Sequence, residues 1–233
     1  MIHLPKSQPA PECLALEKQK ASGTYRCEGV ATRLQEDFKN KCYLCEQKAP
    51  TSINIEHFVP HGGDRELMFS WDNLFFCCAH CNNIKAAWQS RTSFTDLLNC
   101  TVADDRVDAV MDYQIGVSES NGMLSKEWVS IHPLEENDRV QHTAELLNEI
   151  YQGTTEQKMI ESANLRDIVL AEVRELQNLL SKYCSASSPL LQQRRKEQIM
   201  SRLQSDSPFT SFKRCLIRKH HRFSSWLSEI EDS

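Results

Sequence analysis

Two short cysteine pairs, Cys42-Tyr43-Leu44-Cys45 and Cys78-Ala79-His80-Cys81, constrain this 233-residue chain more than any other feature. Two Cys-x-x-Cys pairs at this separation present four thiolates, the ligand set of a closed tetrahedral zinc site. Zinc bound there ties together segments separated by residues 46 to 77, and stabilises a module too small to hold itself by core burial alone. Cys77 is a competing sulfur, but Cys78 reproduces the two-residue gap of the first pair. The alternative is a group of buried cysteines without metal.

Ten cysteines in all would suit a secreted disulfide protein. The opening Met1-Ile2-His3-Leu4-Pro5-Lys6 lacks the apolar run of a secretion signal, and no run is long enough to span a bilayer. A cytoplasmic protein is therefore expected. Cys13, Cys27, Cys77, Cys100, Cys184 and Cys215 then read as mostly buried, small apolar groups. The net charge of −5 and a pI near 5.9 argue against a chain that coats itself in nucleic acid. Contact with nucleic acid would need a local basic patch, a bound metal or a partner.

Chemistry-bearing residues lie between and just after the cysteine pairs. Ile55-Glu56-His57-Phe58-Val59-Pro60 sets an acid beside a histidine in a strand-like run ended by proline. Gly62-Gly63, Trp71-Asp72-Asn73-Leu74 and Asn82-Asn83-Ile84-Lys85 follow in order. Together, Cys-x-x-Cys, Glu-His-x-x-Pro, Asn-Leu, Cys-x-x-Cys-Asn and x-x-Lys resemble an HNH endonuclease. That resemblance implies a ββα fold wrapped around one catalytic metal. It makes His57 the general base, a role that suits imidazole because its pKa lies near neutral. It makes Asn73 the residue that orients His57 and its loop. Glu56 and Asn82 become oxygen ligands of Mg²⁺ or Mn²⁺, with asparagine in place of the family's third signature histidine. Lys85 would contact substrate phosphate. His61 and His80 lie nearby without an assigned role, and Asp64 has none.

Along the chain, Pro5, Pro9 and Pro11 predict an extended opening arm over residues 1–11. Helices are expected from Glu12 to Lys20 and from Thr32 to Lys41. A strand is expected from Thr51 to Val59, and Leu74-Phe75-Phe76 suits its returning partner. Ideal pleating puts Glu56 and His57 on opposite faces, so the strand should twist or bulge near Pro60 if both are to serve one phosphate. A helix through Trp88 begins at Cys81-Asn82, with Asn82 and Lys85 three apart on one side. A short helix near Phe94 to Leu98 precedes a hairpin from Tyr113 to Ile131 around Asn121-Gly122.

Beyond that point the pattern is helical. Thr143 to Tyr151 ends at Gly153, and Thr154 with Gln157 forms a capping box for a long helix to Tyr183. Its apolar stripe takes in Ile160, Leu165, Ile168, Val169, Leu176, Leu179 and Leu180. Ser188 and Pro189 open a further helix. Lys213, Arg214, Arg218, Lys219 and Arg222, with His220 and His221, form a dense basic cluster that reads equally as a phosphate track or a solvated helix face.

The expected class is thus α+β and mainly helical. A zinc-stapled nuclease core at 40–92 sits between an N-terminal arm at 1–39 and a helical domain at 93–233. Outside the core, the spaced prolines and the run Leu147-Asn148-Glu149-Ile150-Tyr151-Gln152-Gly153-Thr154-Thr155-Glu156 are similar to the HNH subunit of Septu antiphage systems, including those attached to retrons. That resemblance implies an ABC-type ATPase partner, DNA or transfer RNA as the target, and in the retron branch an RNA–DNA hybrid and reverse transcriptase. A competing reading is a non-catalytic, zinc-stapled binding or scaffold subunit, favoured by Asn82 and the acidic charge.

Overall fold

In the computed structural model, residues 1–92, 96–120 and 123–230 are described. The arm at 1–11 carries no regular structure, and its apolar residues Met1, Ile2 and Leu4 are buried. It is held by specific bonds: Trp71 Nε1 donates to Ser7 O at 3.0 Å, and Lys6 Nζ donates to Leu74 O at 2.7 Å. Helix α1 spans Glu12–Gln19 and α2 spans Val30–Asp37. The second helix stops four residues before the expected Lys41 because Lys39 and Asn40 both take left-handed backbone conformations (φ 53° and 55°).

Strand β1 (Ile53–His57) pairs antiparallel with β2 (Leu74–Cys78), from Ile53 opposite Cys78 to His57 opposite Leu74. The register is unbroken over these five pairs, so no bulge falls within β1; Pro60, near which a twist or bulge was expected, lies beyond the paired span. A short helix, α3 (Arg65–Phe69), interrupts the connection. Asp64 explains that helix: its carboxylate caps α3 by accepting from Glu66 N at 2.8 Å. Helix α4 (Ala79–Thr92) follows β2 directly and packs on both strands. It starts two residues before the expected Cys81 and runs past Trp88.

The long hairpin β3 (Met111–Ser120) and β4 (Met123–Pro133) is present, with a register shift at Ser118–Glu119. Its expected turn, Asn121-Gly122, lies outside the described residues, as does Phe94 of the expected short helix; residues 96–98 of that segment are not helical. Helix α5 (Asp138–Gln152) begins earlier than expected because Asn137 caps it, accepting from Arg139 N. The next helix, α6 (Glu156–Cys184), is capped by Thr155 rather than Thr154. Its stripe is narrower than expected: Leu165, Val169, Leu176 and Leu180 are buried, while Ile160 and Ile168 are exposed. Ser188 caps α7 (Pro189–Leu203) as expected, and α8 (Thr210–Arg218) completes the set.

One continuous group of buried apolar side chains runs from Met1 through β1, β2, α4, β3, β4 and α5 to Cys215 on α8. The three expected segments therefore share one core. A smaller cluster joins the far halves of α6 and α7 to the end of α8 and the segment after it, around Leu176, Ile199, Ile217 and Phe223. Two cysteine expectations change. Cys13 and Cys27 form a disulfide that ties α1 to the segment before α2, and Cys184 is exposed rather than buried. Among the described residues, no helix is long and apolar enough to cross a membrane.

Candidate metal centre and adjoining cleft

The two cysteine pairs meet because the first turn of chain leans on β2 and the second opens α4. Tyr43 N bonds Phe76 O at 3.1 Å, which places Cys42 and Cys45 beside the end of β2. Glu46, at φ 62°, turns the chain out of the pair. Its buried carboxylate accepts from Ser211 N at 3.1 Å and lies 2.9 Å from the Met1 ammonium and 3.7 Å from Lys41 Nζ. From the other side, Tyr151 Oη on α5 donates to Cys45 O at 3.0 Å. The sulfurs of Cys42, Cys45, Cys78 and Cys81 are all buried and lie within 4.8 Å of one another. A tetrahedral site with Zn–S bonds of about 2.3 Å needs sulfurs about 3.8 Å apart. Cys45 Sγ and Cys78 Sγ are 3.9 Å apart, close to that spacing, so the buried cluster could hold one zinc ion. Cys77 lies 3.8 Å from Cys42 but is not one of the four.

A cleft of about 260 Å³ opens at the end of β1, lined by Glu56, His57, Pro60, His61, Gly62, Asn82, Ala86 and Gln89. The pleating difficulty has a simple resolution. Glu56 points inward and His57 outward, but the cleft sits where the strand ends and the chain folds back, so both reach it. Helix α4 contributes Asn82, Ala86 and Gln89, spaced four and three apart along one stripe. Three sequence candidates (Glu56, His57 and Asn82) are thus brought together.

His57 is fixed at one nitrogen: its Nε2 donates to Met68 O at 3.0 Å, which leaves Nδ1 as the basic atom. Burial, only partly offset by the Met68 hydrogen bond, pulls its pKa below the usual 6.5. Tyr25 and His61 pack edge-on against its ring, with centroids at 4.5 and 4.6 Å. Asn73 holds the loop rather than the imidazole. Its side chain accepts from Val59 N at 2.7 Å and donates to Val59 O at 2.9 Å and Leu67 O at 3.0 Å, while its own carbonyl accepts from Phe58 N.

Lys85 departs from expectation most. It was expected beside Asn82 on an open face, but it is fully buried, and its ammonium contacts Glu56 Oε1 at 2.5 Å, His57 O at 3.1 Å and Phe58 O at 2.8 Å. Position 85 lies on the face of α4 that packs on β1, where the inward Glu56 meets it. The other carboxylate oxygen, Glu56 Oε2, is buried with no hydrogen-bond partner. Burial raises the Glu56 pKa, and the Lys85 charge works against that rise. Glu56 and Asn82 line the same polar cleft, so their side-chain oxygens are candidate ligands for a hard divalent cation.

The remaining candidates lie apart from this cleft. His80 Nδ1 meets Glu161 at 2.7 Å and its Nε2 meets Ile150 O at 2.9 Å, so it joins α4 to α5 and α6. The basic cluster on α8 is largely neutralised within the fold. Lys213 is buried on Glu172, Arg214 reaches Leu203 O and Asp108, and Lys219 pairs with Asp112 at 2.5 Å. Those contacts favour the structural reading of that cluster over a phosphate track.

No family model matches this sequence, and no solved structure matches it. Over 113 residues the chain is 29% identical to Septu protein PtuB of Bacillus thuringiensis, a similarity that covers 44% of this chain and 43% of that protein's length.

Proposed function

We propose that the chain is a metal-dependent HNH endonuclease that hydrolyses phosphodiesters of DNA or transfer RNA, as the effector of a Septu-like antiphage system. The observation that carries this reading is the single cleft shared by Glu56, His57 and Asn82, at the junction of an antiparallel strand pair and the helix that follows it. Similarity to Septu protein PtuB supports the defence role. An ABC-type ATPase partner, and a retron RNA–DNA with its reverse transcriptase, belong to the same proposal.

In this reading the side-chain oxygens of Glu56 and Asn82 would hold Mg²⁺ or Mn²⁺. The chemistry such a cation supplies is charge neutralisation at the scissile phosphate and at the departing 3′-oxygen. His57 Nδ1 takes the proton from the attacking water, and the Met68 carbonyl keeps the ring in the tautomer that can do so. Asn73 fixes the 58–59 backbone, so the imidazole is held rather than left to search. Lys85 engages Oε1 of Glu56, and Oε2 has no hydrogen-bond partner in the fold.

A second reading keeps the zinc-stapled fold but not the chemistry. The buried Lys85–Glu56 pair favours it, because one oxygen of the expected metal ligand is already engaged. The discriminating experiment is cleavage of plasmid DNA and of total transfer RNA by zinc-loaded protein with and without Mg²⁺. The nuclease reading expects strand scission that stops without Mg²⁺ and returns when it is added back. Scission of neither polymer at any Mg²⁺ concentration favours the scaffold.

A further inference from the structure

With Lys85 buried, the cleft has lost the cation expected to meet phosphate, and two other donors stand in its place. We propose that His61 and Gln89 form the phosphate-binding cradle of the cleft, one from the loop after β1 and one from α4. This proposal rests on the nuclease reading for the identity of its ligand, a nucleic-acid phosphodiester, but on separate observations for its residues.

His61 follows Pro60 in the loop at the cleft mouth, and its ring lies edge-on to His57 with centroids 4.6 Å apart. Gly63 N–H donates to His61 Nδ1 at 3.1 Å. That contact requires an unprotonated Nδ1, so the neutral ring carries its proton on Nε2, the remaining polar atom. Gly63 sits at φ 94°, a conformation open to glycine and strained for other residues, so the loop turn that aims this N–H depends on it. His61 is thereby a hydrogen-bond donor at a fixed place. It does not give up a proton; it binds an oxygen.

Gln89 lines the same cleft from α4. It lies two turns beyond Asn82 on the stripe of α4 that faces the cleft, and Ala86 between them leaves open space. Its Nε2 is buried and has no hydrogen-bond partner. A buried amide donor without a partner is costly unless something completes it. A non-bridging phosphate oxygen entering the cleft would complete it. His61 thus offers an imidazole N–H, and Gln89 an amide N–H, to one cleft.

The test uses fluorescence anisotropy with two labelled probes, a DNA duplex and an RNA hairpin, on zinc-loaded His57→Ala protein with no Mg²⁺ added. Nothing is cut, so binding alone is read. Adding His61→Ala or Gln89→Ala to that background is expected to weaken binding about tenfold each, the scale of one hydrogen bond to a charged group. His61→Gln, which keeps a donor, should recover part of the loss. Inorganic phosphate should compete for the probe in the His57→Ala background and lose that effect once both donors are gone. Zinc content should not move, and the urea midpoint should not fall. Binding by the triple variant within twofold of His57→Ala overturns the proposal, as does the absence of any binding by His57→Ala. Failure of the nuclease reading is scored separately, as wild-type protein that cuts neither polymer with Mg²⁺ present.

Discussion

Replacing Lys85 by methionine is the most informative perturbation of the site's foundation. Lys85 is 0% exposed and Glu56 8% exposed, so the pair sits where water cannot screen it. Removing one member of a buried ion pair leaves an uncompensated charge and costs about 3–5 kcal/mol. The carbonyls of His57 and Phe58 lose their donor as well, at about 1 kcal/mol each, although part of this is already contained in the pair's cost. A total near 4 kcal/mol would consume much of the roughly 5–15 kcal/mol that holds a typical domain. Glu56→Gln alone removes the charge but keeps an acceptor for Lys85, so it should cost less, about 2–3 kcal/mol. Because each single variant counts the same lost attraction, the double variant should fall short of the sum by about 2–3 kcal/mol. The assay is urea unfolding followed by circular dichroism at pH 7.5 with saturating zinc, comparing midpoints at equal slope. Additive costs, or a Lys85→Met variant within about 1 kcal/mol of wild type, would refute the reasoning.

Three further outcomes are expected. Cys78→Ala should bind no zinc by elemental analysis and unfold without a cooperative transition, whereas Cys77→Ser should keep one zinc per chain; equal loss in both would displace Cys77's assignment as a bystander. Burial lowers the His57 pKa, so its basic form persists to more acidic pH than free imidazole. The acid limb of the cleavage rate should therefore fall below pH 6.5, and a limb centred above 6.5 contradicts the site's electrostatics. Asn73→Ala should cost about 2–4 kcal/mol, since it strips three side-chain hydrogen bonds from the loop. It should also slow cleavage at a urea concentration where the fold is intact, and an unchanged rate would show that the loop positions nothing.

The parts of this molecule that were legible in its sequence are those encoded by local spacing. The cysteine pairs, the Leu74-Phe75-Phe76 strand and the Ser188-Pro189 helix start each follow from a few neighbouring residues, and each forms as expected. What escaped is settled by partners distant in sequence. Whether Lys85 meets solvent or Glu56 depends on which face of α4 docks against β1, and spacing from Asn82 alone does not decide that. Cys13 finds Cys27, Lys213 finds Glu172, and Glu46 finds both the Met1 amine and Lys41. The Asp64 cap was the exception, a local signal that went unread: an N-cap aspartate two residues before Glu66 announces α3. The cleft's donors were hidden for a different reason. His61 and Gln89 belong to no motif, and only the fold that turns α4's stripe toward the Pro60 loop brings them to one cleft.

The central claim is that one zinc-stapled strand pair and helix present His57 as a base beside Glu56 and Asn82. The most direct measurement is cleavage by His57→Ala beside wild type, on DNA and transfer RNA with Mg²⁺, with zinc content and unfolding midpoint recorded on the same samples. The account predicts at least a hundredfold loss of cleavage, the scale of general-base catalysis, with zinc and midpoint unchanged. Cleavage by His57→Ala at the wild-type rate would contradict it.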